Sequence, residues 1–294
     1  MMEMEENNMG KNRYWDYEHQ MPPGREFEAY HFIAKQGQAV VYHNHPYFEI
    51  FFFVSGHTKI MVEGLDFQLK KGDVLIYPPG VMHRNIHLDA EVPYERFYLY
   101  ATRDFLNSVS TRECDIPETL EKMTQGGHYC FHVGEEQLDR LISLVDQVID
   151  GSERQSPSER LINRYQFSVL LLQVVNMMTS LNVVPQSDHS KHMGDLIRYI
   201  NLHATEPLSL DDLAGTFHLN KYYLLREFKN YTGISVHQYL IIRRILAAQE
   251  LIRHGSKPRE ASFQCGFVDY SSFYRAFKAR VGISPEQYRQ KAQQ

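Results

Sequence analysis

Long apolar runs are missing from this 294-residue sequence: the most apolar stretch, Phe167–Met178, is broken by Gln173 and Asn176 and is too short to span a bilayer. It reads as a buried helix, and membrane proteins of the helical class are excluded. No basic segment followed by an apolar one opens the chain. Met1–Tyr17 is acidic and polar, which argues against a secretory signal. Cysteine is scarce, and Cys114, Cys130 and Cys265 lie far apart with no C-x-x-C pair. That pattern fits a reducing cytosol and thiols used for packing rather than chemistry. The expected location is therefore cytoplasmic, with no membrane partner. What the chain does not lack is core: 43% hydrophobic and 23% charged residues exclude wholesale disorder, and the length allows two buried cores.

The net charge of −5 hides an asymmetry. From Lys191 onward there are 15 basic and 9 acidic residues, a net of +6, which leaves −11 to the rest of the chain. The basic last third is the natural anion partner, although six surplus charges alone do not establish nucleic-acid binding.

Residues 1–26 read as a flexible tail and lead-in. From Phe27 to about Tyr100, short runs rich in Tyr, Phe, Val and Ile are broken by Gly, Pro and Asn. Ala39–Tyr42, Glu49–Val54, Lys59–Val62 and Val74–Tyr77 are examples, and strands at this spacing predict an all-β sandwich or barrel over 27–133. The period then changes. Leu138, Leu141, Ile142, Val145, Val148 and Ile149 recur at helical spacing, and a second apolar helix is predicted from about Glu159 to Leu181. This helical region, 134–183, is either a dimerisation element or a cover for the open end of the barrel. A polar linker, 184–191, leads into helices that fill 192–294, so the fold class is α+β with an all-α carboxy-terminal domain.

That last domain contains an internal repeat. At an offset of 49, Arg226, Phe228, Lys229, Gly233, Ile234, Ser235, Gln238 and Tyr239 recur as Arg275, Phe277, Lys278, Gly282, Ile283, Ser284, Gln287 and Tyr288. Two copies cannot build a solenoid, so they imply a paired module. Each follows a shorter amphipathic helix and a tight turn, His218-Leu219-Asn220 in the first and Gly266-Phe267-Val268-Asp269 in the second. Helix, turn, helix is the arrangement whose second helix enters the DNA major groove. Ser209 with Asp212, Asn220 and Ser284-Pro285 supply start signals for helices, and His254-Gly255 stops a long helix from near Val236.

With Leu224 and Phe228 facing the core, Tyr222, Leu225, Arg226 and Lys229 turn outward, and Ser271, Tyr274, Arg275 and Lys278 are their equivalents. These eight are the candidate DNA-binding residues. Arginine can bond both acceptors on the guanine edge, giving roughly 1–3 kcal/mol of discrimination. Lys229 and Lys278, a turn later, suit phosphates. The Val236–Arg253 helix would space the heads for successive major grooves about 34 Å apart.

Leu213-Ala214, Tyr223-Leu224 with Phe228-Lys229, Tyr239-Leu240 with Arg244 and Ala248, Gly266-Phe267, Phe273 with Phe277-Lys278, and Gly282 to Pro285 with Tyr288-Arg289 together resemble the AraC/XylS regulators. The resemblance covers about Met193–Arg289. It implies seven helices, two helix-turn-helix units and transcriptional control, usually activation; the expected partners are double-stranded DNA, RNA polymerase and, through the helices of 134–183, a second copy of the chain. One departure stands out. The helix before the second turn normally carries an Ile-Ala pair, where this chain has Ala261-Ser262 after Pro258, which predicts looser packing of the second head.

The β-rich half has a pattern of its own. Gly37, His43, His45, Glu49 and Gly56 are followed by Gly72, Pro78, Gly80 and His83 at spacings that resemble the two motifs of cupins, small β-barrels, with His87 where the second motif ends in Asn. His43 and His45, two apart on a strand, share a face. With Glu49 and His83 they could complete a three-imidazole, one-carboxylate set suited to Zn, Fe, Ni or Mn. Equally, His43, His45, Glu49, Tyr77 and His83 could bond a small-molecule effector in a metal-free pocket, and no cofactor is then required. Tyr42, Tyr47, Phe51, Phe53 and Tyr77 could stack on a carbohydrate-like effector or simply form core. The expected function is an effector-responsive transcription regulator and not an enzyme; the alternative is a cupin-type metalloenzyme with an appended DNA-binding domain.

Overall fold

The computed structural model describes residue 21 and residues 24–34, 42–89, 92–152, 156–178 and 191–292. Most of the expected tail, Gly37, residues 39–41 of the first expected strand, and most of the linker lie outside the described residues. Two compact units divide the chain, Met1–Asp188 and His189–Gln294. No helix among the described residues is long and apolar enough to cross a membrane.

In the first unit the strands are β1 (Phe27–Ala34), β2 (Phe48–Ser55), β3 (Thr58–Val62), β4 (Leu65–Gln68), β5 (Asp73–Tyr77), β6 (His83–His87), β7 (Tyr94–Ala101) and β8 (Cys130–His132). They form an antiparallel five-stranded sheet in the order β1-β7-β2-β5-β8 and a three-stranded sheet in the order β4-β3-β6. Six consecutive residues of β2, Phe48–Phe53, are buried. Five of the six are apolar, as a strand buried on both faces requires, and the sixth is the buried carboxylate Glu49. One face of the large sheet (Phe51, Phe53, Leu75, Tyr77, Tyr94, Tyr98, Tyr100), with Tyr47 just before β2, meets Ile60, Val62, Leu65 and Phe67 of the small sheet in one core. The other face (Phe48, Ile50, Phe52, Val74, Ile76, Phe97, Leu99) is covered by helices.

Those helices are α1 (Arg103–Val109), α2 (Ile116–Thr124), α3 (Glu135–Ser152) and α4 (Pro157–Met178). Leu138, Leu141, Val145 and Val148 of α3 and Phe167, Leu170, Leu171 and Val174 of α4 pack on the outer face of the large sheet. The predicted helical pair is present and clads a face of the large sheet. Buried side chains of this size contribute roughly 1.5–3 kcal/mol each, so the pair is part of the unit's core.

The second unit has seven helices among its described residues: α5 (Lys191–His203), α6 (Leu210–Thr216), α7 (Lys221–Thr232), α8 (Val236–Arg253), α9 (Pro258–Gln264), α10 (Tyr270–Val281) and α11 (Pro285–Ala292). Ile245, Ala248 and Ile252 of α8 pack with Ala261, Cys265, Phe267, Phe273 and Phe277 in one core.

Candidate nucleic-acid interface and histidine cluster

The repeat resolves into residues that build and residues that do not. Gly233 and Gly282 end α7 and α10 in the left-handed region, at φ 81° and 80°, where a Cβ is resisted. The Ser235 amide donates to Gln238 Oε1 at 2.9 Å and the Gln238 amide to Ser235 Oγ at 3.2 Å; Ser284 and Gln287 repeat both bonds at 2.9 and 3.2 Å. These are capping boxes that start α8 and α11. Phe228 meets Tyr239 edge-on at 5.5 Å between ring centroids, and Phe277 meets Tyr288 at the same distance. Ile234 is buried and Ile283 half-buried. Six of the eight recurring residues therefore have a structural use. The other two, Arg226/Arg275 and Lys229/Lys278, are exposed in both copies.

Both reading helices are tightly started. Asn220 accepts from the Tyr222 and Tyr223 amides at 2.9 and 3.4 Å, and Asp269 accepts from the Ser272 amide at 2.8 Å. Ser209 and Asp212 form a full capping box on α6. Hydrogen bonds to Ser209 and to Ser272 hold the Asp212 and Asp269 carboxyls below the usual carboxylate range.

Leu224 and Phe228 have no exposed surface, as the periodicity requires. Tyr222, Arg226, Lys229, Ser271, Tyr274, Arg275 and Lys278 are exposed, whereas Leu225 is half-buried. Arg226 Nε donates to Glu227 Oε1 at 3.1 Å and its guanidinium lies 5.6 Å from the Tyr223 ring centroid. Arg275 Nη2 lies 3.4 Å from Ser272 Oγ. An exposed ion pair contributes roughly 0.2–1 kcal/mol. A bidentate guanine contact gives about 1–3 kcal/mol, so neither local contact prevents the arginines from turning to a base.

The second head corrects one expectation. Pro258 stands in the first turn of α9, where its missing amide proton costs nothing. Ala261 and Ser262 have no exposed surface, and Ser262 Oγ donates to Arg259 O at 2.7 Å. The head is closely packed. Exposed residues that were not anticipated include Tyr223, 46% exposed beside Arg226, and Val268, 93% exposed in the turn before Asp269. A β-branched residue between two turn signals was the available clue.

In the first unit the histidine motif folds differently from a strand. His43 makes an isolated bridge with His83, its amide 3.0 Å from His83 O, and His45 lies outside any strand. His45 Nε2 is 2.7 Å and His83 Nε2 3.7 Å from the same Glu49 oxygen, and all three side chains are buried. The ligand atoms of these three lie within 4.8 Å of one another. The His43 ring sits 4.3 Å from His83 and 6.4 Å from His45, beside that group. Each of the two buried rings is tethered at Nδ1 to a backbone carbonyl, His45 to Tyr47 O at 2.8 Å and His83 to Val81 O at 3.0 Å. This leaves both Nε2 atoms turned toward the carboxylate, the tethering found behind metal-binding histidines. Burial first, and then His43 and His45, holds the His83 imidazole well below the usual histidine value, so it offers a lone pair.

Tyr77 stacks on His83 at 4.0 Å, and Tyr47 on His45 at 4.3 Å. In register, Glu49 faces Tyr77 on β5 and Tyr100 on β7. The Tyr77 and Tyr100 hydroxyls are buried with no hydrogen-bond partner, and burial followed by Glu49 pushes both phenols well above their usual value. Two buried donors facing a carboxylate and two imidazoles suit a ligand with hydroxyl oxygens. Tyr42, Phe51 and Phe53 are fully buried core.

Comparison with known proteins follows the two units. A helix-turn-helix domain model matches residues 213–291 and a cupin domain model matches residues 30–95. The uncharacterized HTH-type transcriptional regulator YbfI of Bacillus subtilis (strain 168) is 25% identical over 260 residues, spanning 86% of this chain and 87% of that protein. The HTH-type transcriptional activator RhaS of Enterobacter sp. (strain 638) is 25% identical over 251 residues, 84% of this chain and 87% of that protein. Among solved structures, the C-terminal domain of AraT, a response regulator from Geobacillus stearothermophilus, is 30% identical with a TM-score of 0.34, covering 36% of this chain and 88% of that one.

Proposed function

The chain belongs to the AraC/XylS family of DNA-binding transcription regulators, and from that premise we propose that it is a homodimeric activator whose barrel binds a small-molecule effector. The observation that carries the reading is the pair of residues left over in the repeat: Arg226/Arg275 and Lys229/Lys278 recur in register, exposed, with no packing role. In this reading the arginines read base edges, and the lysines, with Tyr222, Leu225, Ser271 and Tyr274, position the helices on the backbone. The relatives named above are regulators rather than enzymes, and RhaS is named as an activator, which supports activation through RNA polymerase.

The effector reading rests on His45, His83, Glu49, Tyr77 and Tyr100, with His43 beside them. A compact polyhydroxylated, carbohydrate-like molecule would satisfy the two orphan phenols. If a divalent transition metal is bound, His45 Nε2, His83 Nε2 and a Glu49 oxygen are the atoms to hold it, and the ion would polarise an effector hydroxyl. Dimerisation is supported by α4. Its buried face carries Phe167, Leu170, Leu171 and Val174, yet Leu161, Ile162, Tyr165, Val169 and Leu172 on the other side are 40–62% exposed. Ile162, Tyr165, Val169 and Leu172 follow one another at steps of three and four, the seam of a two-helix coiled coil. For the effector to control transcription it must favour one presentation of the heads over another.

Selection of duplexes from random DNA with the full chain, followed by gel shift, tests the proposal. Arg226→Ala and Arg275→Ala should each relax discrimination at one guanine position by about 5- to 150-fold, while weakening binding to unrelated DNA little. Unchanged base preference in both variants would sink the assignment.

A further inference from the structure

We propose that Arg244 is a positioning residue that fixes the spacing and rotation of the two DNA-reading heads, and so decides which separation of half-sites the protein accepts. The inference rests on the reading that both heads bind DNA. Arg244 projects from the middle of α8, the helix between the heads. Its Nε donates to Ala204 O at 2.8 Å and its Nη2 to Glu206 O at 2.9 Å. Those carbonyls belong to the turn that leaves α5 and runs into Ser209, the cap of the first head.

The second head reaches the same turn from its own side. Gly266, between α9 and α10, sits at φ +81°, and a Cβ there would lie 2.7 Å from Thr205 O and 3.1 Å from Arg244 Cζ and Nε. A turn of the first head, one arginine of the spacer and one glycine of the second head are therefore in direct contact. The Tyr239 hydroxyl donates to Asn201 Oδ1 at 2.9 Å and ties α5 to α8 nearby. A guanidinium is a rigid planar fork, so two bonds to two carbonyls set direction as well as distance, which a single ammonium cannot do. Gly266 completes the arrangement because any side chain would push the two heads apart. Burial pulls the Arg244 guanidinium below its usual value, consistent with a group used for bonding inside the domain rather than displayed to a phosphate.

Half-site spacing provides the test. One inserted base pair moves the second groove by about 3.4 Å along the axis and roughly 35° around it. Three duplexes are compared by fluorescence anisotropy with the full chain: the selected one, the same with one base pair inserted between half-sites, and the same with the second half-site scrambled. Wild type should lose about tenfold or more on insertion, because rigid heads cannot follow the DNA. Arg244→Met and Arg244→Lys should cut that penalty to within about threefold while binding the scrambled duplex like wild type. Gly266→Ala should weaken the selected duplex but not the scrambled one, and it carries the test if the Arg244 variants do not fold. A full insertion penalty in Arg244→Met, or an equal loss on all three duplexes, overturns the proposal. Failure of wild type to select any duplex would instead contradict the DNA-reading function itself.

Discussion

Phe277 and Arg275 stand two positions apart on α10 and separate the two jobs of the repeat. Phe277 has no exposed surface and lies 5.4 Å from the Phe273 ring and 5.5 Å from Tyr288. Phe277→Ala is expected to destabilise the second unit by about 3–5 kcal/mol through the cavity it leaves. Arg275→Ala should stay within about 0.5 kcal/mol of wild type. Urea unfolding of the two variants checks this, and a destabilised Arg275→Ala would show that Arg275 has a packing role. At this scale the reading faces were legible because helical period and duplication agree. The barrel was less so. In Tyr94-Glu95-Arg96-Phe97-Tyr98-Leu99-Tyr100 both faces of β7 are largely buried, so apolar alternation could not single out Tyr100, and only its period-two partnership with Tyr94 and Tyr98 hinted at a shared interior face. His43 was expected on a strand, but its segment makes one isolated bridge, to His83, instead.

Elements are set by their ends. The Asp269 carboxylate caps α10 and is held below its ordinary value by Ser272, first through the backbone and then through the hydroxyl. A group depressed in the folded state stabilises fully above its unfolded pKa, about 3.9, and loses that contribution as pH falls through the folded value. Asp269→Asn keeps the shape and removes the charge, so the gap in melting temperature between wild type and variant should hold from pH 7 to about 5 and narrow progressively as pH falls below about 4. A gap that stays constant on acidification, down to the lowest pH at which the protein remains folded, would contradict the charge-based cap. Caps also explain what was legible among the helices: Ser209, Asn220 and Ser284 announced their elements, whereas α1 and α2, of 7 and 9 residues, are too short for periodicity to declare them.

On the scale of the whole molecule, the acidic front and basic back predicted opposite long-range fields, and the boundary between the two compact units falls close to that division. Nothing in composition revealed the second apolar face of α4, because an all-round apolar helix looks in sequence like a buried one. Replacing Tyr165 and Val169 by Glu, both at exposed positions, should convert a dimer to a monomer in light scattering while leaving the barrel folded. A variant that stays dimeric would move the interface elsewhere. The central claim, that Arg226 and Arg275 read guanine edges, is tested most directly by exchanging guanines of the selected duplex for 7-deazaguanine one at a time, which deletes the N7 acceptor. Wild type should lose about 5- to 100-fold at one position in each half-site. Arg226→Ala should lose nothing further at the first of these and Arg275→Ala nothing further at the second. Losses in the variants equal to those of wild type at every position would contradict the account.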